Sequence, residues 1–286
     1  MPYKVTNKNV QEAINKSDRF DGRKPFENRD IEVKFNVSKN AEASVSVKLG
    51  KSHVIAGIKT SVGEPYPDHE KEGTMSVGMD LLPMSSVNFD YGPPSIEAVE
   101  IARVVDRGIR ESRFIDYEGL CIKEGEKVWN IFIDLVTIND DGNLIDASAL
   151  AAILALLTAR LPVYDEKTEM VKAGDFTDNP IPLRPENMPL TTTFFKIGDK
   201  IFIDPTREEE DATEGRLTIE VSKSSGKSEM INAMQKGGDS TFTIDEIMLM
   251  VGEAVKSFKK LKDTVDSELE KAGKEAKSSK KKTKKE

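Results

Sequence analysis

The residues that most constrain this chain are 147–161, ASALAAILALLTARL, a run that is apolar nearly all the way round a helical wheel. A helix of that kind offers water no polar face, so it must be buried between layers of other structure. Just before it, Val128–Ile138 reads Val-Trp-Asn-Ile-Phe-Ile-Asp-Leu-Val-Thr-Ile, a strand that puts Trp129 in the core. The Asn-Asp-Asp-Gly-Asn turn at 139–143 joins the two. The spacing predicts a helix from about Ile145 to Leu161, stopped by Pro162.

Upstream the hydrophobic period is two. Ile31–Val37 alternates, Ala43, Val45, Val47 and Leu49 share one face of a second strand, and a turn at Gly50-Lys51 leads to a third over His53–Ser61. Further strands are expected at Met75–Met84 and Ser86–Phe89. Tyr-Gly-Pro-Pro-Ser at 91–95 then offers Ser95 as the cap of a helix whose Ala98, Ala102, Val105 and Ile109 form a buried face. A short helix is expected over Thr6–Ser17, capped by Thr6 or Asn7, and a strand over Cys121–Glu124. Strands resume at Thr191–Lys196, Lys200–Ile203, Leu217–Val221 and Glu229–Lys236, followed by an amphipathic helix from Thr243 to about Leu261. Strands then helix, twice over, imply an α+β protein of two related two-layer lobes with mixed, largely antiparallel sheets.

These signals divide the chain into an N-terminal helical extension (1–20), a first domain (21–165), a linker (166–189), a second domain (190–265) and a Lys-rich tail (266–286). The linker is expected because Val163–Pro189 holds four prolines and no sustained period. The tail is expected to be disordered. Residues 63–74, GEPYPDHEKEGT, suit an exposed loop with a solvated His69.

One cysteine, Cys121, rules out an internal disulfide, and two histidines leave little for His-based metal sites or Ser-His-Asp chemistry. No apolar run approaches the roughly 20 residues that span a bilayer, and the first residues lack the apolar stretch of a secretory signal, so a cytoplasmic protein without membrane contact is expected. Residues 270–286 carry eight lysines against three glutamates, a local charge of +5, which leaves −13 on the other 269 residues. An acidic body of that size contacts a polyanion only through a local basic patch or a basic partner. Arg103, Arg107 and Arg110 form the one compact basic stripe, within about 60° of helical arc. By charge pattern alone, Glu100–Arg103 and Asp106–Arg110 pairs explain that stripe, at about 0.2–0.5 kcal/mol each.

Three long segments carry a resemblance: GPPSIEAVEIARVVDRGIRES (92–112), VWNIFIDLVTINDDGNLIDASALAAILAL (128–156) and IFIDPTREEEDATEGRLTI (201–219), with DGRKPFENR before them. In order and spacing, over roughly residues 18–262, they resemble the RNase PH superfamily, and within it the non-catalytic ring subunits of the archaeal exosome. That resemblance implies a two-domain α+β fold and alternation with a catalytic RNase PH-like paralogue in a hexameric ring, a trimer of heterodimers. It also implies cap proteins with RNA-binding domains, and phosphate-dependent degradation of single-stranded RNA from the 3′ end. It assigns Arg103, Arg107 and Arg110 to RNA backbone in the central channel.

Active relatives resemble Asp-Gly-Gly-x-Arg-Thr at the turn where this chain has Asp141, Gly142, Asn143, Leu144, Ile145 and Asp146. Ile145 replaces the arginine, and Asp146 brings a negative charge toward the phosphate position. The downstream run begins at Asp204, and Arg216 is read in place of a second carboxylate, where it would repel a metal ion. The expectation is therefore an inactive subunit with no catalytic, cofactor or metal site. The glutamates at 208–210 are expected to be a solvated acidic turn, and Cys121 to be inert in a buried strand. Two alternatives stay open: a self-sufficient phosphorolytic exoribonuclease, and a free-standing RNA-binding module that works through its tail.

Overall fold

The computed structural model describes residues 3–16, 19–165, 170–223 and 228–283. Strands β1 (Ile31–Phe35), β2 (Ala43–Leu49), β3 (Ser52–Gly63), β4 (Thr74–Asp80), β5 (Cys121–Lys123) and β6 (Lys127–Asn139) form the first sheet, in the order β1-β2-β3-β6-β4 with β5 on β6. Only the β4–β6 pair is parallel. Alternation decides which face is covered: Val45 and Val47 of β2, Val54, Ala56 and Ile58 of β3, and Ile131 and Ile133 of β6 are all buried.

That face is covered by α2 (Ile96–Glu111) and α3 (Leu144–Thr158). The second sheet has the order β10-β9-β11-β12, built from β9 (Leu190–Ile197), β10 (Lys200–Ile203), β11 (Gly215–Lys223) and β12 (Glu229–Gly238), all antiparallel. Helix α3 packs on β2 and β3 from one side and meets β9 on the other, while α2 lies on β4 and touches β12. Contact with both sheets is why α3 is apolar all round: every residue from Ala147 to Leu156 is buried.

α1 (Tyr3–Asn15) starts before the expected Thr6 or Asn7 cap, and its expected end at Ser17 lies outside the described residues. Its Val10 and Ile14 pack with Phe195, Ile197, Phe202 and Ala212, so the chain's first helix docks on the second sheet. Helix α2 begins as expected, with Ser95 Oγ accepting the Ala98 N–H at 3.2 Å. No strand forms at Ser86–Phe89. Those residues follow turns in which Ser85 bonds Leu82 and Thr137, holding the backbone away from a neighbouring strand.

Helix α3 ends at Thr158, three residues short of Leu161, because Ala159 is already extended (φ −72°, ψ 146°). Pro162 lies in the strand that follows. The expected linker is instead a hairpin of β7 (Arg160–Asp165) and β8 (Met170–Pro180), with 166–169 outside the described residues. Prolines fit because both strands are edges and the register breaks at Pro162, where no ladder N–H is needed.

The last helix, α5 (Ile244–Thr283), passes through most of the expected disordered tail; residues 284–286 lie outside the described residues. It starts on a reciprocal cap, Thr243 N–H to Glu246 Oε2 at 2.7 Å and Glu246 N–H to Thr243 Oγ1 at 3.2 Å. Val265 is buried and Leu269 packs on the core beyond the predicted end. Lysine, glutamate and alanine sustain the rest, with pairs such as Lys262–Asp266 and Lys271–Glu268 one turn apart. No described helix is long and apolar enough to cross a membrane.

Candidate functional site

The turn between β6 and α3 meets the segment after β10 in a knot of unusual backbone. Gly142 (φ +83°), Asn143 (φ +54°) and Asp204 (φ +50°) all adopt the left-handed region. A Cβ on Gly142 would stand 2.7 Å from Pro205 O and from the Thr206 carbonyl carbon, both backbone atoms that cannot rotate away. Gly142→Ala combines left-handed strain with overpacking, so it is expected to destabilise the protein by about 2–4 kcal/mol in chemical denaturation. A loss under about 1 kcal/mol would show that the two segments move apart freely.

Asp204 is fully buried and saturated with donors. It accepts from Arg29 (N–H 2.7 Å, Nη2 2.7 Å), Arg23 Nη1 (3.0 Å) and Asn143 Nδ2 (3.0 Å). Arg29 continues to Asp141 O at 2.7 Å and Gly142 O at 3.1 Å. Asp146 turns inward and accepts from Thr193 N–H (3.0 Å), Thr193 Oγ1 (2.7 Å) and Asn143 Nδ2 (3.1 Å). Burial pushes its carboxyl up to about 6, against those hydrogen bonds. The Asn143 N–H, at the start of α3, donates to Glu210 at 2.9 Å, and burial lifts Glu210 to about 7 although Arg207 opposes it. Ile145 is buried in the core. At the helix start where an anion would be received, this chain places its own carboxylates, and the arginines there are already committed to them.

The acidic run is solvated only in part: Glu208 and Asp211 are exposed, whereas Glu209 is buried. Residues Arg207–Asp211 form a short helix, α4, with Thr206 and Glu209 making a capping box. Glu209 is buried against Arg19, with bonds of 3.0 and 2.6 Å. The role read for Arg216 is also corrected. It lies on β11 and reaches Glu100 of α2 at 2.5 Å, while the carboxylate six residues after Asp204 is Glu210, at the α3 turn. Sequence reasoning missed Arg19, Arg23, Arg29 and Asn143. The available signal for Arg23 and Arg29 was the basic DGRKPFENR segment, whose partner Asp204 lies 181 and 175 positions away.

On α2 the three arginines differ. Arg103 is exposed, and no hydrogen bond or ion pair joins it to the described residues. Among the described residues Arg107 makes one ion pair, a loose one with Glu111 at 3.9 Å. Arg110 is held by Asp106 (2.8 Å) and Met75 O (3.1 Å). The Asp106–Arg110 pair is as expected, but Glu100 pairs across to Arg216 and leaves Arg103 free. Beneath the stripe, Gly108 sits on the Glu220 carboxylate, which a Cβ there would meet at 2.4–2.5 Å. Glu220 is buried with neither oxygen hydrogen-bonded among the described residues. Burial, helped by nearby Asp146, pushes it up to about 8, with Arg107 opposing. Among the described residues no group of three or more His, Cys, Asp or Glu is placed to hold a metal ion. Cys121 is half-buried on β5.

Comparison with known proteins agrees with the two-lobed architecture. Residues 27–162 match RNase PH, domain 1 of the 3′ exoribonuclease family, and residues 187–257 match domain 2. The chain belongs to the RNase PH 3′ exoribonuclease family. It is 42% identical over 265 residues to exosome complex component Rrp42 of Methanothermobacter thermautotrophicus, covering 93% of this chain and 96% of that one. To the Methanosarcina acetivorans component of the same name it is 43% identical over 247 residues, covering 86% and 88%. It superposes on a chain of the Archaeoglobus fulgidus exosome with RNA bound to the active site at a TM-score of 0.82 and 37% identity, covering 92% of this chain and 98% of that one.

Proposed function

We propose that this chain is a non-catalytic subunit of an archaeal exosome-type ring. It pairs with a catalytic RNase PH-like paralogue, closes a hexamer as a trimer of heterodimers, works in the cytoplasm beside cap proteins with RNA-binding domains, and serves 3′-to-5′ RNA degradation without performing it. The observation that carries this reading is the start of α3. Ile145 is buried, the carboxyl groups of Asp146 and Glu210 occupy the N–H donors there, and the arginines nearby are bound to Asp204 and Glu209. Phosphorolysis needs free cationic or N–H donors for inorganic phosphate beside the scissile bond. The likeness to exosome components over most of the chain supports the ring.

Its contribution to RNA is made by Arg103 and Arg107, the two α2 arginines with uncommitted or barely committed guanidinium groups, which hold phosphates of single-stranded RNA without reading sequence. Arg110, tied to Asp106 and Met75, has the smaller share. Native mass spectrometry and a phosphate-dependent RNA decay assay, on the chain alone and mixed with its paralogue, test the reading. A three-plus-three ring that alone degrades RNA supports it; decay by this chain alone makes it a self-sufficient exoribonuclease, with Asp204 and Glu210 as the carboxylate pair. In the ring, Arg103→Ala with Arg107→Ala is expected to weaken RNA binding and flatten the log–log salt dependence by about 1.4, two phosphate contacts' worth. Arg110→Ala is expected to do less.

A further inference from the structure

Two cavities, of about 310 and 400 Å³, run along α2 and share two walls, Arg103 and Gln235. Arg107 and Arg110 line the first, and Arg216 and Lys236 line the second. Cations thus come from both α2 and the second sheet, and Gln235 of β12 sits where the cavities meet. The cations offer only hydrogen-bond donors, which is what a phosphate chain requires. Three carboxylates line the cavities too, but Asp106, Glu111 and Glu100 face Arg110, Arg107 and Arg216, which leaves Gln235 as the neutral side chain able to accept.

Its amide orientation is fixed by chemistry. Nε2 donates to the Val104 carbonyl at 3.3 Å, and a carbonyl only accepts, so the nitrogen must face the helix. That leaves Oε1, with the second Nε2 hydrogen, without a hydrogen bond to the described residues, and Gln235 lines both cavities, so the amide has an acceptor to offer there. A carbonyl oxygen adds nothing to phosphate binding, since it repels phosphate oxygens. It needs a donor from the ligand, and along a nucleic-acid backbone the repeating donor is the ribose 2′-hydroxyl. We infer that Gln235 accepts a hydrogen bond from a ribose 2′-OH of the strand held by Arg103 and Arg107, and so makes this groove prefer RNA to DNA. The inference rests on the proposal that these arginines hold the backbone.

The test uses the assembled ring, this chain with its catalytic paralogue, and fluorescence anisotropy with three probes: a uridine oligomer, its 2′-deoxy counterpart and its 2′-fluoro counterpart. Gln235→Leu is expected to weaken uridine-oligomer binding roughly three- to tenfold while deoxy binding changes less than about twofold. On the unaltered ring the 2′-fluoro oligomer, which keeps an RNA-like sugar but cannot donate, is expected to bind more weakly than the uridine oligomer. That arm needs no variant to fold. Equal losses on uridine and deoxy probes in Gln235→Leu, no change in either, or a 2′-fluoro oligomer that binds like RNA would each overturn the inference. Arg103→Ala separates the two ideas, because a uniform loss on every probe upholds backbone binding whatever Gln235 does. If Arg103→Ala changes nothing, the backbone reading itself falls. Loss that depends on the base, tested with a cytidine oligomer, would assign Gln235 to a base edge and also overturn the ribose contact.

Discussion

Replacing Asp204 with alanine is expected to cost about 3–5 kcal/mol of stability, a clear drop in the urea midpoint. The side chain is fully buried and accepts from Arg29, Arg23 and Asn143. Removing it takes the shared carboxylate from two largely buried guanidinium groups, leaving Arg23 with Asp21 and Arg29 with Asp141, and breaking a buried charge pair costs more than the lost contacts alone. Asp204→Asn keeps the volume and one acceptor, so it is expected to fall between wild type and alanine. A loss below about 1 kcal/mol in the alanine variant would mean that Asp21 and Asp141 suffice for the two arginines.

The second large effect is on pH dependence. Glu220 ionises near 4.5 in an unfolded chain, and burial next to Asp146 pushes it up to about 8 in the folded one. Below 4.5 both states hold the proton and the residue contributes no pH dependence. Between the two values the unfolded state has released its proton while the folded state keeps it, so the folded state binds more protons and stability falls as pH rises. Above 8 the full cost is present. With each pKa unit worth about 1.4 kcal/mol, the span amounts to several kcal/mol. Glu220→Gln removes the titration, so it is expected to melt well above wild type at pH 8 and close to it at pH 5. A temperature gap that stays constant from pH 5 to 8 would show that Glu220 is already ionised and solvated in the fold.

Periodicity exposed the parts of the fold that depend on neighbours in sequence. The alternation of Ala43, Val45, Val47 and Leu49, the Ser95 cap, the buried face of α2 and the apolar α3 all stand where their patterns place them. What escaped depends on distant partners. Pro162 and Pro180 read as breakers because nothing local tells an edge strand from a linker, whereas the β7–β8 pairing tolerates both. Glu209 and Glu210 read as surface charge, since their surroundings are decided by Arg19 and by Asn143. The α2 stripe was legible as a stripe. That Arg103 is free and Arg110 is not depends on Arg216, which draws Glu100 across from β11. That contact also shows why Arg216 was misread: counting along the run after Asp204 gave it a place, and the strand took it to another.

The docking of α1 on the second sheet has a consequence for how the chain is made. Val10 and Ile14 find their partners in Phe195, Ile197, Phe202 and Ala212. During translation at about 5–20 residues per second, this apolar stripe emerges roughly 10–40 s before the residues that cover it. Arg19 waits as long for Glu209. Over that interval the nascent chain carries an uncovered apolar helix face and arginines that still lack Asp204 and Glu209, on an otherwise acidic protein. Collapse of the first lobe therefore leaves this segment unfinished, and closure of the second sheet over α1 would set the moment at which the subunit becomes ready to assemble.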